Sequence, residues 1–223
     1  RFVILTAGGL DTLERQGETD IICGAGGSLA RLATFAMEQG LTGLEFAHGI
    51  PGTLGGGMAM NAGAYGGELR DVAVSSDYLT LNGEAGTLSG EEQQLSYRHS
   101  AYSDGDKFVT SARLRLAPGD REQIRARMEE LAQKRRNSQP LEYPSAGSTF
   151  KRPVGGYAAA LIDQCGLKGL RVGGAQVSEK HAGFVINAGG ATCRDVLALT
   201  DQIRETVLRQ TGITLELEIR RLD

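Results

Sequence analysis

The sequence predicts an α+β fold, with helices and strands mixed and no βαβ repeat. Three observations predict it. Three stretches start at a residue that suits a helix N-terminus, keep apolar residues at helical spacing, and stop at Gly or Pro, and a fourth, shorter one ends at Gly. Two regions alternate apolar and more polar residues with the period of a strand. Between the first helix and the first alternating region lies a run of glycine and small residues, 49–67, that fits neither pattern.

In chain order, residues 2–5 read as a short strand and 21–23 as another. Gly24-Ala25-Gly26-Gly27 leads to Ser28, a good N-cap; Leu29, Leu32, Ala33 and Ala36 then keep helical spacing as far as Gly40, where a terminating glycine belongs. From 71 to 116 the pattern is extended. Asn82-Gly83 between two such runs is a hairpin signal, and Phe108, Thr110, Ala112, Leu114 and Leu116 alternate with more polar partners. Pro118-Gly119 is the expected boundary between two domains, 1–117 and 118–223. Asp120 caps a charged helix with Ile124, Met128 and Leu131 on one face; it ends through Lys134-Arg135-Arg136 before Pro140. A short helix runs from Tyr157 to Gly166. Thr192 caps the last one, which carries Val196, Leu199, Ile203 and Val207 in one stripe and stops at Gly212. Ile213, Leu215, Leu217 and Ile219 then alternate with Thr214, Glu216, Glu218 and Arg220, as in a strand with one apolar and one polar face.

The run at 49–67 is Gly-Ile-Pro-Gly-Thr-Leu-Gly-Gly-Gly-Met-Ala-Met-Asn-Ala-Gly-Ala-Tyr-Gly-Gly, with eight glycines in nineteen residues and no charge. Glycine weakens a fold unless the backbone needs a positive φ or a close approach. A flexible linker would interleave Gly with Ser; this run interleaves Ile50, Leu54, Met58, Met60 and Tyr65. It reads as buried main chain pressed against a flat ligand or another backbone, or as a tight structural turn. There is no Lys-Ser/Thr for a P-loop, and no strand followed by G-x-G-x-x-G opening a helix.

The 223 residues carry a net charge of −3, with 40% hydrophobic residues and three cysteines. That balance provides no basic footprint for nucleic acid, and no apolar run approaches the length of a membrane span. Cys23, Cys165 and Cys193 are odd in number and far apart, as expected of reduced thiols in a cytoplasmic protein. His48, His99 and His181 lack the spacing of a metal site. Taken singly, Ser148 in a Gly-Ser-Thr-Phe turn, Arg98 after Tyr97, and Glu218 on a polar strand face have ordinary readings as turn residue, surface charge and solvated carboxylate.

Together the segments resemble a family. Gly49-Ile50-Pro51-Gly52 running into Asn61-Ala62-Gly63-Ala64-Tyr65-Gly66 is similar to the flavin-binding signature of the UDP-N-acetylenolpyruvoylglucosamine reductase (MurB) family. So are Tyr97-Arg98-His99-Ser100, Gln139-Pro140, Ser145-Ala146-Gly147-Ser148-Thr149-Phe150-Lys151 and Gly166-Leu167-Lys168-Gly169. Gln176-Val177-Ser178-Glu179-Lys180-His181-Ala182 and Leu215-Glu216-Leu217-Glu218-Ile219 complete the set in the family's order. The resemblance covers the chain from about Gly24 to its end.

The resemblance implies the C-terminal part of a flavin-binding domain of the MurB/vanillyl-alcohol-oxidase type, followed by a smaller α+β substrate-binding domain. It implies FAD as cofactor, NADPH as co-substrate, and reduction of UDP-N-acetylglucosamine enolpyruvate to UDP-N-acetylmuramate for peptidoglycan. It implies Ser148 as proton donor with Arg98 and Glu218 as partners. Gly49, Ile50, Pro51, Gly52, Thr53, Gly56, Asn61, Ala62, Gly63 and Ala64 would meet the flavin. Tyr65, Lys151, Arg152 and Gln176 would meet the substrate, and no metal, nucleic acid or membrane partner is expected. Arg152 stands where the family usually carries Asn, and an inserted substrate loop is missing, as in the family's shorter branch. The family's N-terminal flavin-diphosphate elements are also missing, so the chain is expected to be part of a longer one. Two other readings stay open: a flavin-free nucleotide-sugar-binding fragment, and an oxidoreductase of the same fold with another substrate.

Overall fold

The computed structural model describes residues 8–220, so the strand expected at 2–5 lies outside the described residues. The chain divides into two compact units, Arg1–Gln133 and Lys134–Asp223.

In the first unit, β1 (Leu13–Gln16) and β2 (Asp20–Gly24) form an antiparallel pair. Helix α1 (Leu29–Glu38) follows. Ser28 caps it by accepting from the Arg31 N–H at 3.2 Å, and Gly40 leaves it at φ +68°. After β3 (Leu41–Thr42), the glycine-rich run contains a helix, α2 (Leu54–Ala59), and a small hairpin of β4 (Gly63–Ala64) and β5 (Gly67–Glu68). The sequence reading did not foresee that helix, because Leu-Gly-Gly-Gly-Met-Ala has poor helix propensity. Its apolar residues Leu54 and Met58 are fully buried and hold the turn in place of propensity.

The Asn82-Gly83 signal joins β6 (Ala73–Thr80) to β7 (Ala85–Ser89), with Gly83 at φ +84° and its N–H donating to Thr80 O at 3.0 Å. β8 (Lys107–Arg115) completes a five-stranded antiparallel sheet ordered β1-β2-β8-β6-β7. Ile21 pairs with Leu114 and Cys23 with Ala112. All four are buried against Leu29, Leu32, Ala33 and Ala36 of α1, which is the period-2 face meeting the period-3.6 face. The short β9 (Ala117–Pro118) pairs with β3.

Helix α3 (Arg121–Ser138) starts at Asp120, whose carboxylate accepts from the Gln123 N–H at 2.9 Å. The expected boundary at Pro118-Gly119 is the head of this helix. The compact division falls inside it, because Ile124 and Met128 pack into the first core.

The second unit holds β10 (Ser145–Ser148), α4 (Ala158–Gln164), β11 (Arg171–Val172), β12 (Ala175–Val177), β13 (Phe184–Asn187) and α5 (Cys193–Thr211). The sheet is antiparallel in the order β10-β13-β12-β11. Thr192 and Asp195 make a reciprocal capping box at the head of α5, and Gly212 ends it at φ +73°. Leu199, Ile203 and Val207 are fully buried on Ala175, Val177, Val185 and Ile162. The strand expected at 213–220 is an extended segment with a single bridge, Phe150 to Leu217. Leu215 is fully buried as its apolar face required. Pairing stops early because the partner segment soon reaches Pro153, which has no N–H to donate.

Candidate functional site

In the first unit two glycine loops are laced together. Leu54 N–H donates to Gly27 O at 2.8 Å, Gly55 N–H to Ala25 O at 2.9 Å, and Leu29 N–H to Gly52 O at 3.1 Å. The sequence reading took the Gly24-Ala25-Gly26-Gly27 loop only as the approach to a helix. Three glycines in four residues were the available signal that it, too, needed close backbone contact. The amides of Leu54 and Gly55 are thus spent inside the protein and are no longer open to an anion.

Seven of the eight glycines of the 49–67 run sort into three kinds. A Cβ on Gly55 would lie 2.9 Å from Ala25 Cβ, on Gly57 2.9 Å from Leu69 Cδ1, on Gly63 2.8 Å from Glu68 Cβ, and on Gly67 2.6 Å from Phe46 Cδ1. Those four serve the protein's own packing. Gly52 and Gly66 have positive φ, of +134° and +88°. Gly56 has neither reason. It sits in α2 without a positive φ, and the nearest atom to its Cβ would be Thr53 Oγ1 at 3.8 Å. A helical glycine costs about 1 kcal/mol relative to alanine, so its use at an exposed, uncrowded position points to room kept for something else. The run fits a flat ligand such as FAD on this ground.

The Tyr97-Arg98 motif is stitched to the same run. Ser96 and His99 exchange backbone hydrogen bonds of 3.1 Å each, closing a tight turn with Tyr97 and Arg98 at its tip. Arg98 takes φ +55°, a conformation that costs a non-glycine residue roughly 1–2 kcal/mol. Two side chains fix that turn. Asn61 donates through Nδ2 to Ser96 O at 3.2 Å and accepts at Oδ1 from the Arg70 N–H at 2.9 Å. Ser100 donates to Ala59 O at 2.9 Å and accepts from the Tyr102 N–H at 3.1 Å. Both are buried. Asn61 and Tyr65 are themselves left-handed, at φ +42° and +55°. Of the four such non-glycine residues among those described, three are expected site residues, and backbone strain of this kind gathers at functional sites. Arg98 also stacks over the Tyr97 ring at 5.2 Å.

In the second unit Ser148 ends β10 opposite Phe184, after a register shift that includes Gly147 at φ +82°. Such bulges re-aim a side chain. The next residue, Thr149, is buried and clamped three ways. Its N–H donates to Gly183 O at 2.8 Å, its Oγ1 accepts from Val185 N–H at 3.0 Å, and its carbonyl accepts from Glu218 N–H at 2.9 Å. The exposed Ser148 and the half-buried Glu218 therefore stand on neighbouring backbone segments, although 70 residues apart in sequence. Arg98 belongs to the first unit.

Lys151 pairs with Glu216 at 3.1 Å, Arg152 stacks 3.9 Å over the Tyr157 ring, and Gln176 accepts from Arg171 Nε at 3.0 Å. The segment after Gln176 builds a turn. Buried Ser178 accepts from the Lys180 and His181 amides, and His181 Nδ1 accepts from Gly183 N–H at 3.1 Å. Burial pushes the His181 pKa down, so its neutral ring holds the approach to Phe184. Burial likewise pushes the Cys23 thiol up to about 11, which makes it inert packing. Among the described residues, no group of three or more His, Cys, Asp or Glu is placed to hold a metal ion. No described helix is long and apolar enough to cross a membrane.

A flavin-suited glycine cradle in one unit and a mixed helix-and-strand second unit define the class: a flavin-binding domain joined to a smaller α+β domain. A family model described as an FAD binding domain matches residues 3–89. Another, described as the C-terminal domain of UDP-N-acetylenolpyruvoylglucosamine reductase, matches residues 139–222. The UDP-N-acetylenolpyruvoylglucosamine reductase of Agathobacter rectalis is 54% identical over 200 residues, covering 90% of this chain and 64% of that protein. That of Pediococcus pentosaceus is 49% identical over 211 residues, covering 95% and 70%. The crystal structure of the Thermus caldophilus enzyme matches with a TM-score of 0.82 and 37% identity, over 96% of this chain and 76% of that one. The chain belongs to the UDP-N-acetylenolpyruvoylglucosamine reductase family.

Proposed function

We propose that this chain carries the substrate-reducing part of an FAD-dependent enzyme that converts UDP-N-acetylglucosamine enolpyruvate to UDP-N-acetylmuramate with NADPH, in the cytoplasm, for peptidoglycan synthesis. The observation that carries the reading is Gly56, an uncrowded helical glycine that the fold itself does not require. Residues 1–117 would then serve FAD and 118–223 the nucleotide sugar. Gly49, Ile50, Pro51, Gly52, Thr53, Gly56, Asn61, Ala62, Gly63 and Ala64 would hold the cofactor.

When bound, FAD supplies the hydride, taken from NADPH and given to one carbon of the enolpyruvyl double bond. The electron pair displaced by that addition gathers as enolate charge beside the substrate carboxylate. Arg98, at the tip of its left-handed turn, offers a cation to that charge. Ser148 gives its proton to the neighbouring carbon, and Glu218 is its partner. A hydroxyl is too weak an acid to do this in water, so the step requires a dry site. Tyr65, Lys151, Arg152 and Gln176 would bind the substrate's polar groups.

The test is the complete protein, purified and examined for flavin absorbance, then for NADPH oxidation with and without UDP-N-acetylglucosamine enolpyruvate. The reading expects a yellow protein whose NADPH oxidation depends on that substrate. A colourless protein that takes up no FAD would favour a nucleotide-sugar-binding fragment; a flavinated one indifferent to this substrate would favour another oxidoreductase.

A further inference from the structure

The segment that follows Ser148 ends in an exposed pair of ring and cation. Phe150 is buried and bridged to Leu217, and the Lys151 N–H donates to Glu216 O at 2.9 Å, so the chain is pinned up to the residue before Arg152. It then turns. Gly155 takes φ +81°, and the Gly156 N–H reaches back to Pro153 O at 3.4 Å. Tyr157 comes next, and its carbonyl accepts from the Ala160 and Leu161 N–H groups at 3.1 and 3.2 Å in the first turn of α4. Ala158 and Ile162 root that helix in the core of the second unit. Both ends of the turn are therefore fixed, and they set the Arg152 guanidinium carbon 3.9 Å from the centre of the Tyr157 ring. Tyr157 is nevertheless 63% exposed. Burial gives no reason for a large ring at this place; what the ring does is cover a guanidinium.

A guanidinium carries its N–H donors in its own plane, so a ring against its face preserves the fork that matches phosphate oxygens. An arginine held in this way also loses less rotamer freedom when an anion arrives. On the reading that this chain reduces a nucleotide sugar, we propose that Tyr157 is a positioning residue for the substrate's diphosphate: it holds Arg152, and Arg152 meets the phosphate oxygens. The spacing suits that substrate. Arg152 lies four residues beyond Ser148, at most about 13 Å along an extended backbone. The enolpyruvyl group and the diphosphate stand on carbons of one sugar ring, two positions apart, so one nucleotide sugar can span both residues. Lys151, the neighbouring cation, is paired with Glu216 at 3.1 Å.

The experiment is steady-state kinetics of the complete protein with UDP-N-acetylglucosamine enolpyruvate, with UDP and uridine as inhibitors. Tyr157→Leu removes the ring and Tyr157→Phe keeps it. Tyr157→Leu should raise KM about three- to fivefold, the worth of an exposed cation–π contact, with kcat within about twofold. Tyr157→Phe should stay within about twofold in both. Arg152→Ala should raise KM about 10- to 100-fold, the worth of charge-assisted hydrogen bonds. Adding Tyr157→Leu to Arg152→Ala should cost nothing more, since the ring acts through the arginine. Inhibition by UDP should weaken in step with KM, and inhibition by uridine should not change. An unchanged KM in Tyr157→Leu would overturn the proposal. So would equal losses in Tyr157→Leu and Tyr157→Phe, or additive losses in the double variant, by making the ring's role structural. A raised KM with undiminished inhibition by UDP would overturn it too, by assigning Arg152 to another anion. An unchanged KM in Arg152→Ala would remove both residues from the site and leave the substrate reading standing. Failure of the unsubstituted protein to turn over this substrate would overturn that reading, and the role of Tyr157 with it.

Discussion

The glycine-rich run with its Tyr97-Arg98 turn and the Ser148 strand present the proposed site residues in opposite ways. In the first region the polar side chains that fasten the loops are buried and tied to partners far away in sequence; Asn61, itself left-handed, reaches Ser96, and Ser100 reaches Ala59. In the second, Ser148 is exposed at the end of a bulged strand, and its buried neighbour Thr149 bears the structural connections. Function and scaffold share the same side chains in the first region and occupy alternate residues in the second. Substitutions should therefore damage fold and function together in one place and separately in the other.

The largest effect is expected where the two are separate. Ser148→Ala should leave flavin reduction by NADPH near its original rate and leave melting unchanged. Reoxidation by UDP-N-acetylglucosamine enolpyruvate should slow by on the order of 10²–10⁴-fold, the usual cost of losing a positioned general acid. Stopped-flow flavin absorbance with the half-reactions run separately reads both. Equal slowing of the two halves would make Ser148 structural and erase the contrast.

Asn61→Ala probes the other region. It strands the Ser96 carbonyl and the Arg70 amide and empties a buried site, so it should cost about 2–4 kcal/mol in denaturant unfolding, with flavin affinity falling alongside. Arg98→Gly sharpens the same point with a smaller effect. Glycine accepts φ +55° freely, so the variant should be as stable as the original or more stable by up to about 1 kcal/mol, while substrate turnover collapses. Loss of stability would mean that the turn does not hold Arg98 under strain.

The smallest effect is remote from both regions. Asp20 lies between Arg113 and Arg115, at 2.6 and 3.0 Å. The Arg115 hydrogen bond, with help from Arg113, lowers its pKa from 3.8 to about 2. A depressed carboxylate pKa gives stability that is complete above about pH 4 and is lost as pH falls through about 2. Acid unfolding of Asp20→Asn should lack that component while both functional regions respond to pH as before.

Much of the fold was legible in the sequence because its signals are local. Ser28, Asp120 and Thr192 cap helices, Gly40 and Gly212 end them, and Asn82-Gly83 turns a hairpin, each acting within a few residues of itself. Helix α2 was not legible, since burial of Leu54 and Met58 overrides three consecutive glycines. The position of Glu218 beside Thr149 depends on a single bridge between distant segments, and alternation alone could only place it on a polar face. The motifs of the proposed site were legible in the sequence. What each motif residue does for the backbone was not. Ser100 and Asn61 fasten the Arg98 turn, and Ser178 and His181 shape the loop before Phe184, through contacts that no spacing reveals.

The division of the glycines is the central claim, and FAD affinity tests it most directly. Gly63→Val should damage the protein itself, because its Cβ would press on Glu68 and on the Gly67 carbonyl. Gly56→Val meets no such obstacle. Titrated with FAD in the complete protein, Gly56→Val should remain folded, melt near the original temperature, and bind FAD about 10- to 100-fold more weakly, the cost of overpacking a fitted contact. A folded Gly56→Val that binds FAD with unchanged affinity would contradict the account, since the glycine would then be keeping room for nothing.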